Sequence, residues 1–259
     1  MEAEDHMGVC VIRRRVGRAL VKSGLPSLDY TLNPYTGCSH GCIYCYARLY
    51  CNPEIGNNWG KIVVVKENIV EVLRREVRKS KKGRVGLSTI TDPYQHIEKK
   101  EELSRRILQI LLKSGFHVSI QTKNELVLRD TDLLASHTDS VDVGFTITTL
   151  DDSLARTIEP NASPPRNRVK ALEKLHSEGI RTWVFLGPII PGTEDDIDDI
   201  VEVAKVTESV LYYDKYRIKT FMKSGLEKEL AERAKKIDWK SIADKIKGMY
   251  DRAFFAFSE

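Results

Sequence analysis

The stretch NPYTGCSHGCIYCYAR, residues 33–48, sets Cys38, Cys42 and Cys45 in one short loop. Three thiolates this close can wrap a single compact inorganic centre, and Gly37 and Gly41 give the backbone freedom to fold around it. Iron–sulfur cubanes usually take four cysteine ligands, so three leave one iron with an open coordination position. Cys10 precedes the loop, Cys51 follows it, and no cysteine occurs after Cys51. An odd, clustered set is a poor disulfide framework and points to metal or redox chemistry. A structural zinc site completed by His40 or Cys51 is one alternative. An all-cysteine cluster closed by Cys51, as in an electron carrier, is another. Cys10 reads as a small buried or surface thiol.

Outward from the loop, two periods alternate along the chain. Leu28, Tyr30 and Leu32 repeat at two and predict a short strand entering the loop. Ile69, Val70, Leu73 and Val77 form a helical stripe ending in the basic run Lys79–Arg84, a solvated terminus that complements the helix dipole. Val85–Ile90 reads as a buried strand. Leu103, Ile107, Ile110 and Leu111 mark a helix stopped by Gly115, and Val118 and Ile120 mark the next strand. Leu133 and Leu134 lie on a short helix, after which Val141, Val143, Phe145 and Ile147 alternate strictly. Ser163 and Pro164 open a helix with Val169, Leu172 and Leu175 inward and Gly179 as its stop. Trp183–Leu186 is a further strand. Thr193 with Asp196 caps a helix carrying Ile197, Ile200, Val201 and Ala204. Val210–Tyr213 is the sixth strand, and two helices follow, with Leu226 and Leu230 and with Ile242 and Ile246.

This alternation predicts an α/β fold with a parallel sheet and helices outside, either open and doubly wound or a partial or full barrel. In such folds the carboxyl ends of the strands hold the site. Polar and glycine-rich residues gather there, at 91–95, Thr122-Lys123, Thr148-Thr149 and 187–192. The cysteine loop follows the first strand and falls on the same face.

The 259 residues are 41% hydrophobic and 30% charged, enough for one sizeable core and too apolar for a disordered chain. Lys and Arg number 41 against 37 Asp and Glu, and a net charge of +4 neither demands nor excludes nucleic acid. The acidic start Met1–His6 is unlike a secretory signal. The most apolar stretch, Thr182–Gly192, is broken by Gly187, Pro188 and Pro191, far short of the roughly 18 residues of a membrane span. The expectation is a soluble, cytoplasmic protein without membrane association.

The spacing CSHGCIYC, after a first strand and before a helix, resembles that of the radical SAM superfamily. Together with TDPYQ (91–95), IEP (158–160), PPRNRVKAL (164–172) and GPIIPG (187–192), it resembles the branch related to spore photoproduct lyase. The likeness runs from Asn33 to Glu194. It implies a partial (β/α)6 TIM-type barrel over residues 28–222, with residues 1–27 an N-terminal extension and 223–259 C-terminal helices packed on the barrel. It also implies a 4Fe–4S cluster on Cys38, Cys42 and Cys45, with S-adenosylmethionine on the fourth iron and an electron donor such as flavodoxin or ferredoxin. The expected enzyme cleaves S-adenosylmethionine reductively to a 5′-deoxyadenosyl radical.

By the same resemblance Tyr44 lies near the adenine. Thr91 and Asp92 stand where the family usually has Gly-Gly-Glu on the methionine amino group, and the glycines are absent here. Lys123, Glu159 and Arg168 are candidates for the carboxylate and ribose, Thr148 for the ribose, and Ile189 for the apolar segment against adenine. Tyr46 matches one of a tyrosine pair implicated in hydrogen return in the lyase. Competing readings remain: Asp92 as a cap of the turn before Pro93, Arg168 paired with solvent or a neighbour, and Tyr94 as a packed turn aromatic. The substrate is either an unidentified molecule or, as in the lyase, nucleic acid. Against the latter, residues 85–92 contain no cysteine, whereas the lyase uses one at the end of its second strand as hydrogen donor.

Overall fold

Alternating apolar residues at Val141, Val143 and Phe145 build the central strand of a sheet buried on both faces. The computed structural model describes residues 3–6 and 8–256. In chain order its strands are β1 (Ala3–His6), β2 (Val9–Arg14), β3 (Val21–Lys22), β4 (Tyr30–Leu32), β5 (Tyr35–Thr36) and β6 (Ile62–Lys66). They continue as β7 (Arg84–Leu87), β8 (His117–Thr122), β9 (Val141–Thr146), β10 (Arg181–Leu186), β11 (Val210–Tyr213) and β12 (Ala253–Phe255).

The large sheet runs β12-β11-β10-β9-β8-β7-β4-β3. From β4 to β12 every pairing in it is parallel, and β3 is added antiparallel to β4. Helices Leu103–Lys113, Pro165–Ser177 and Asp196–Val206 return the chain between successive strands. The two ends of the sheet do not pair with each other, so the barrel is partial. All the strand-following loops therefore open on one edge, and that edge carries the cysteine loop. Burying an aliphatic side chain of the kind found at Val85, Ile120 or Val184 contributes about 1.5–3 kcal/mol. No helix among the described residues is long and apolar enough to cross a membrane.

Two features differ from the periodicity reading. The segment Ile62–Lys66 is a strand, and it joins β1, β2 and β5 in a second sheet ordered β1-β2-β6-β5. Its middle residues Val63, Val64 and Val65 are all buried, so no period of two marks it. Part of the N-terminal segment is thus built into the support of the cysteine loop, because β5 ends two residues before Cys38 and pairs with β6. At the other end, β12 adds a seventh parallel strand after the helices Gly225–Ala234 and Trp239–Met249. At three residues it is too short to show a period.

The opposite edge of the sheet is knotted by Asp142. Its carboxylate accepts Arg84 Nη2 at 2.7 Å, Ser119 Oγ at 2.6 Å and Trp183 Nε1 at 2.9 Å, with His117 Nε2 at 2.7 Å, tying β7, β8, β9 and β10 together. Trp183 crosses β9 so closely that a Cβ on Gly144 would lie 2.1 Å from its ring. Burial alone would raise the Asp142 carboxyl, but the His117 and Ser119 hydrogen bonds and the Arg84 charge outweigh it and hold it below its ordinary value. A carboxylate depressed in this way adds stability above the ordinary carboxylate range, and that stability is lost as pH falls through the depressed value. Asp142→Ala is expected to cost about 3–5 kcal/mol at pH 7, since it strands buried donors. Urea unfolding at pH 7 and pH 3 should show the gap to the parent narrowing at the lower pH. An equal gap at both would mean that the charge of Asp142 contributes nothing.

Candidate active site at the cysteine loop

Polar side chains grip the backbone between Cys38 and Cys42. Ser39 N donates to Gln95 Oε1 at 2.8 Å, Asn161 Nδ2 donates to Ser39 O at 2.9 Å, and Asn161 N donates to His40 O at 3.2 Å. Gln95 Nε2 also donates to Thr91 Oγ1 at 2.9 Å, and Thr91 Oγ1 donates to Gly37 O at 2.5 Å. Gly37 has φ +81°, and a Cβ there would sit 2.3 Å from Ile62 O, so the approach of the loop to β6 requires glycine. Asp92 Oδ1 accepts Tyr94 N at 2.8 Å and Thr122 Oγ1 at 2.7 Å, while Oδ2 accepts Lys123 N at 2.8 Å and faces His40 Nδ1 at 3.4 Å. Burial opposes ionisation of Asp92, but His40 and these hydrogen bonds outweigh it and draw its pKa down to about 2.

Cys38 and Cys42 are buried, and Cys45 is half-buried. Burial pushes Cys38, Cys42 and Cys45 up; Asp92 and the neighbouring thiols add to this at Cys38, and Lys123 opposes it at Cys42 and Cys45. A thiolate in such a pocket calls for a cationic centre bonded to sulfur. Among the described residues no three His, Cys, Asp or Glu side chains converge to hold a single metal ion. A cubane distributes its thiolates over separate irons, so the donor set fits a cluster better than a lone zinc.

Beside Cys42 lies a charge group built on the buried Glu159 and Arg168, with Lys123 half-buried next to them. Glu159, at the C-terminus of the helix Asp152–Ile158, pairs with Arg168 Nη2 at 2.5 Å in the first turn of the helix Pro165–Ser177. Arg168 also donates through Nε to Ser163 O at 2.7 Å and through Nη1 to Thr146 O at 3.0 Å. Glu159 Oε1 accepts the Tyr44 hydroxyl and Thr148 Oγ1, the latter at 3.3 Å. Lys123 Nζ, just past β8, lies 5.7 Å from the centre of the Tyr44 ring. Burial would raise Glu159, but Arg168 and Lys123 hold it down; burial would lower Lys123, but Cys42 and Glu159 hold it up. Each member of the group is thus held toward its charged form by its neighbours, against the burial of Glu159 and Arg168.

Five candidates, Tyr44, Lys123, Thr148, Glu159 and Arg168, thus meet around Cys42. Thr91 and Asp92 serve as struts of the loop, and Asp92 does cap the turn before Pro93. Ile189 packs into the main core, and it is Ile190 that clusters with Cys42 and Tyr44. Tyr46 is 44% exposed and donates to Thr89 O at 2.6 Å, away from the charge group. Gln95 and Asn161 were not among the candidates. Gln95 ends the TDPYQ motif, which was its available signal; Asn161 had none beyond its place next to IEP.

A radical SAM superfamily profile matches residues 32–204. The chain belongs to the radical SAM superfamily. An uncharacterized protein of Methanocaldococcus jannaschii is 34% identical over 209 residues, covering 81% of this chain and 78% of its own. A protein of Pseudomonas phage M6 named Radical SAM Nalpha-GlyT isomerase is 25% identical over 173 residues, covering 65% of this chain and 35% of its own. The chain spans about half the length of its mycobacterial relatives, 51%. A mutant of spore photoproduct lyase superposes with a TM-score of 0.68 at 17% identity, covering 96% of this chain and 82% of that one. That likeness is one of fold, and it agrees with the partial barrel of parallel strands.

Proposed function

We propose that this radical SAM protein binds a 4Fe–4S cluster through Cys38, Cys42 and Cys45 and S-adenosylmethionine at the remaining iron, and uses them to attack a substrate at the strand ends. The observation that carries the reading is the thiol triplet, with Cys38 and Cys42 buried and Cys45 half-buried, set beside the buried Glu159–Arg168 pair and the half-buried Lys123. When bound, the cluster supplies the electron that breaks a carbon–sulfur bond of S-adenosylmethionine, giving methionine and a 5′-deoxyadenosyl radical.

The chain's own part is to hold, orient and exclude water. Lys123 offers the cation for the methionine carboxylate. Glu159 and Thr148 offer acceptors and a hydroxyl to the ribose, and the Tyr44 ring offers a face to the adenine. Arg168 acts through Glu159, which it orients with a guanidinium already committed to three acceptors. Asp92 and Thr91 position the loop. The reductant is a low-potential carrier of the ferredoxin or flavodoxin kind. After anaerobic reconstitution, dithionite and S-adenosylmethionine should yield 5′-deoxyadenosine by chromatography. A four-iron protein that left S-adenosylmethionine intact would sink the proposal.

A lyase-like repair of nucleic acid is the second reading, favoured by the fold likeness and by the Tyr44-Cys45-Tyr46 triplet. The end of β7 argues against it, because Ser88 and Thr89 stand there without a thiol. Cys51 Sγ is engaged with Ala47 O at 3.4 Å. Oligonucleotides containing spore photoproduct should therefore not be restored to thymines even when 5′-deoxyadenosine is made. Clean catalytic repair that survived Cys51→Ala would reveal another hydrogen donor and favour this second reading.

A further inference from the structure

A cavity of about 520 Å³ lies where the second sheet meets the cysteine loop, and Tyr44, Lys123, Thr148, Glu159 and Arg168 do not line it. Its floor is apolar and buried, made of Val11 from β2, Val63 from β6 and Ile97 from the segment after β7. Lys61 stands exposed at its mouth, and the half-buried His6 and His96 line its wall. Gly60 brings the wall hard against the cysteine loop: its φ is +88°, and a Cβ there would lie 2.9 Å from Gly41 Cα.

The polar groups of this cavity are donors. Lys61 brings an ammonium and His6 and His96 bring ring N–H groups, while among the described side chains that line it there is no carboxylate. Burial, His40 and His6 together push the His96 imidazole down against the pull of Asp92, and an anion beside the two imidazoles would oppose that push. Ser39, between Cys38 and Cys42, also borders the cavity. Its N–H is engaged by Gln95 and its carbonyl by Asn161, but its hydroxyl has no hydrogen-bond partner. An apolar cleft of this size with a few convergent polar groups has the makeup of a small-molecule site. Lys61 is the one permanent cation lining it, which matches the single charge of a carboxylate better than the nearly double charge of a phosphate monoester.

We infer that this cavity is a second binding site, separate from the proposed cluster and cofactor site, for a small organic acid with an apolar body. The body lies on Val11, Val63 and Ile97, and the carboxylate takes its hydrogen bonds from Lys61, His6 and His96. The occupant borders Ser39, and so touches the turn that carries Cys38 and Cys42.

The test is equilibrium dialysis of 2-naphthoate and of its uncharged counterpart 2-naphthamide against the anaerobically reconstituted protein, with thermal unfolding of each variant alongside. The parent should bind the amide about tenfold more weakly than the acid, the loss of one charge-assisted contact. Lys61→Gln and His96→Phe should each weaken 2-naphthoate about three- to tenfold, the effect of one hydrogen bond, and unfold at the parent's temperature. Lys79→Gln, an exposed cation that does not line the cavity, should bind as the parent does. A carboxylate held instead by an open iron would keep its affinity in both cavity variants. Parent-like affinity in either cavity variant overturns the inference, as does weakening that comes only with a lower unfolding temperature. An equal loss in Lys79→Gln, equal binding of acid and amide, or no binding by the parent overturns it too. The proposed function stands or falls separately, on the formation of 5′-deoxyadenosine.

Discussion

Replacing Cys42 with alanine is expected to reduce iron from about four atoms per chain after anaerobic reconstitution to nearly none. Cys38→Ala and Cys45→Ala should do the same. The three thiols sit in one short loop, and a protein with two of them retains too few anchors for a cubane. Cys10→Ala and Cys51→Ala should keep the full complement. Cys10 lies on β2 in the second sheet, and Cys51 Sγ is engaged with Ala47 O. Iron and sulfide analysis with the ultraviolet–visible spectrum of each variant is the measurement. If Cys51→Ala loses iron as fully as Cys42→Ala does, the cluster has four protein ligands, no open iron, and the electron-carrier alternative returns.

Arg168→Ala should have the largest effect among the remaining side chains, on stability and site together. Arg168 is 1% exposed and anchors Glu159, Ser163 O and Thr146 O at once. Removing it leaves the Glu159 carboxylate buried with only Lys123, Tyr44 and Thr148 against it, and the loss of one partner of a buried pair costs about 3–5 kcal/mol. Glu159→Gln provides the control, since it keeps the shape and removes the charge. It should destabilise less than Arg168→Ala, because a guanidinium that retains two carbonyl acceptors is better served than a lone carboxylate. Denaturant unfolding of the apo proteins gives the order. A stability loss under about 1 kcal/mol for Arg168→Ala, the size of an exposed pair, would mean that water reaches the pair.

The six strands β4 and β7–β11 and the helices between them are legible in the sequence because their signals are local. Val141, Val143 and Phe145 alternate, and Leu103, Ile107 and Leu111 repeat at helical spacing, whatever the rest of the chain does. The loop chemistry is local too: Cys38, Cys42 and Cys45 are neighbours before any folding, with Gly37 placed to let them turn. The candidates Tyr44, Lys123, Thr148, Glu159 and Arg168 came from resemblance of short motifs, and nothing in their separate spacings says that they meet. Their meeting is a consequence of parallel topology, which brings the ends of β8 and β9 and the loops beyond them to one edge.

Other features have no local signature at all. The pairing of β2 with β6 joins segments some fifty residues apart, and the continuous valine run of β6 carries no period. Asp142 falls on the face of β9 opposite Val141, Val143 and Phe145, and that face is buried as well; the convergence of Arg84, His117, Ser119 and Trp183 from three other strands is what makes a carboxylate tolerable there. Gln95 and His96 look like ordinary loop residues until the fold sets one against Ser39 N and the other against the His40 ring. By itself the chain sequence determined which segments are strand or helix and where thiols are concentrated, since both depend on neighbours a few residues away. The tertiary structure decided which distant polar groups are paired, buried or left unpaired, because desolvation and hydrogen bonding depend on what the whole fold brings within about 3 Å.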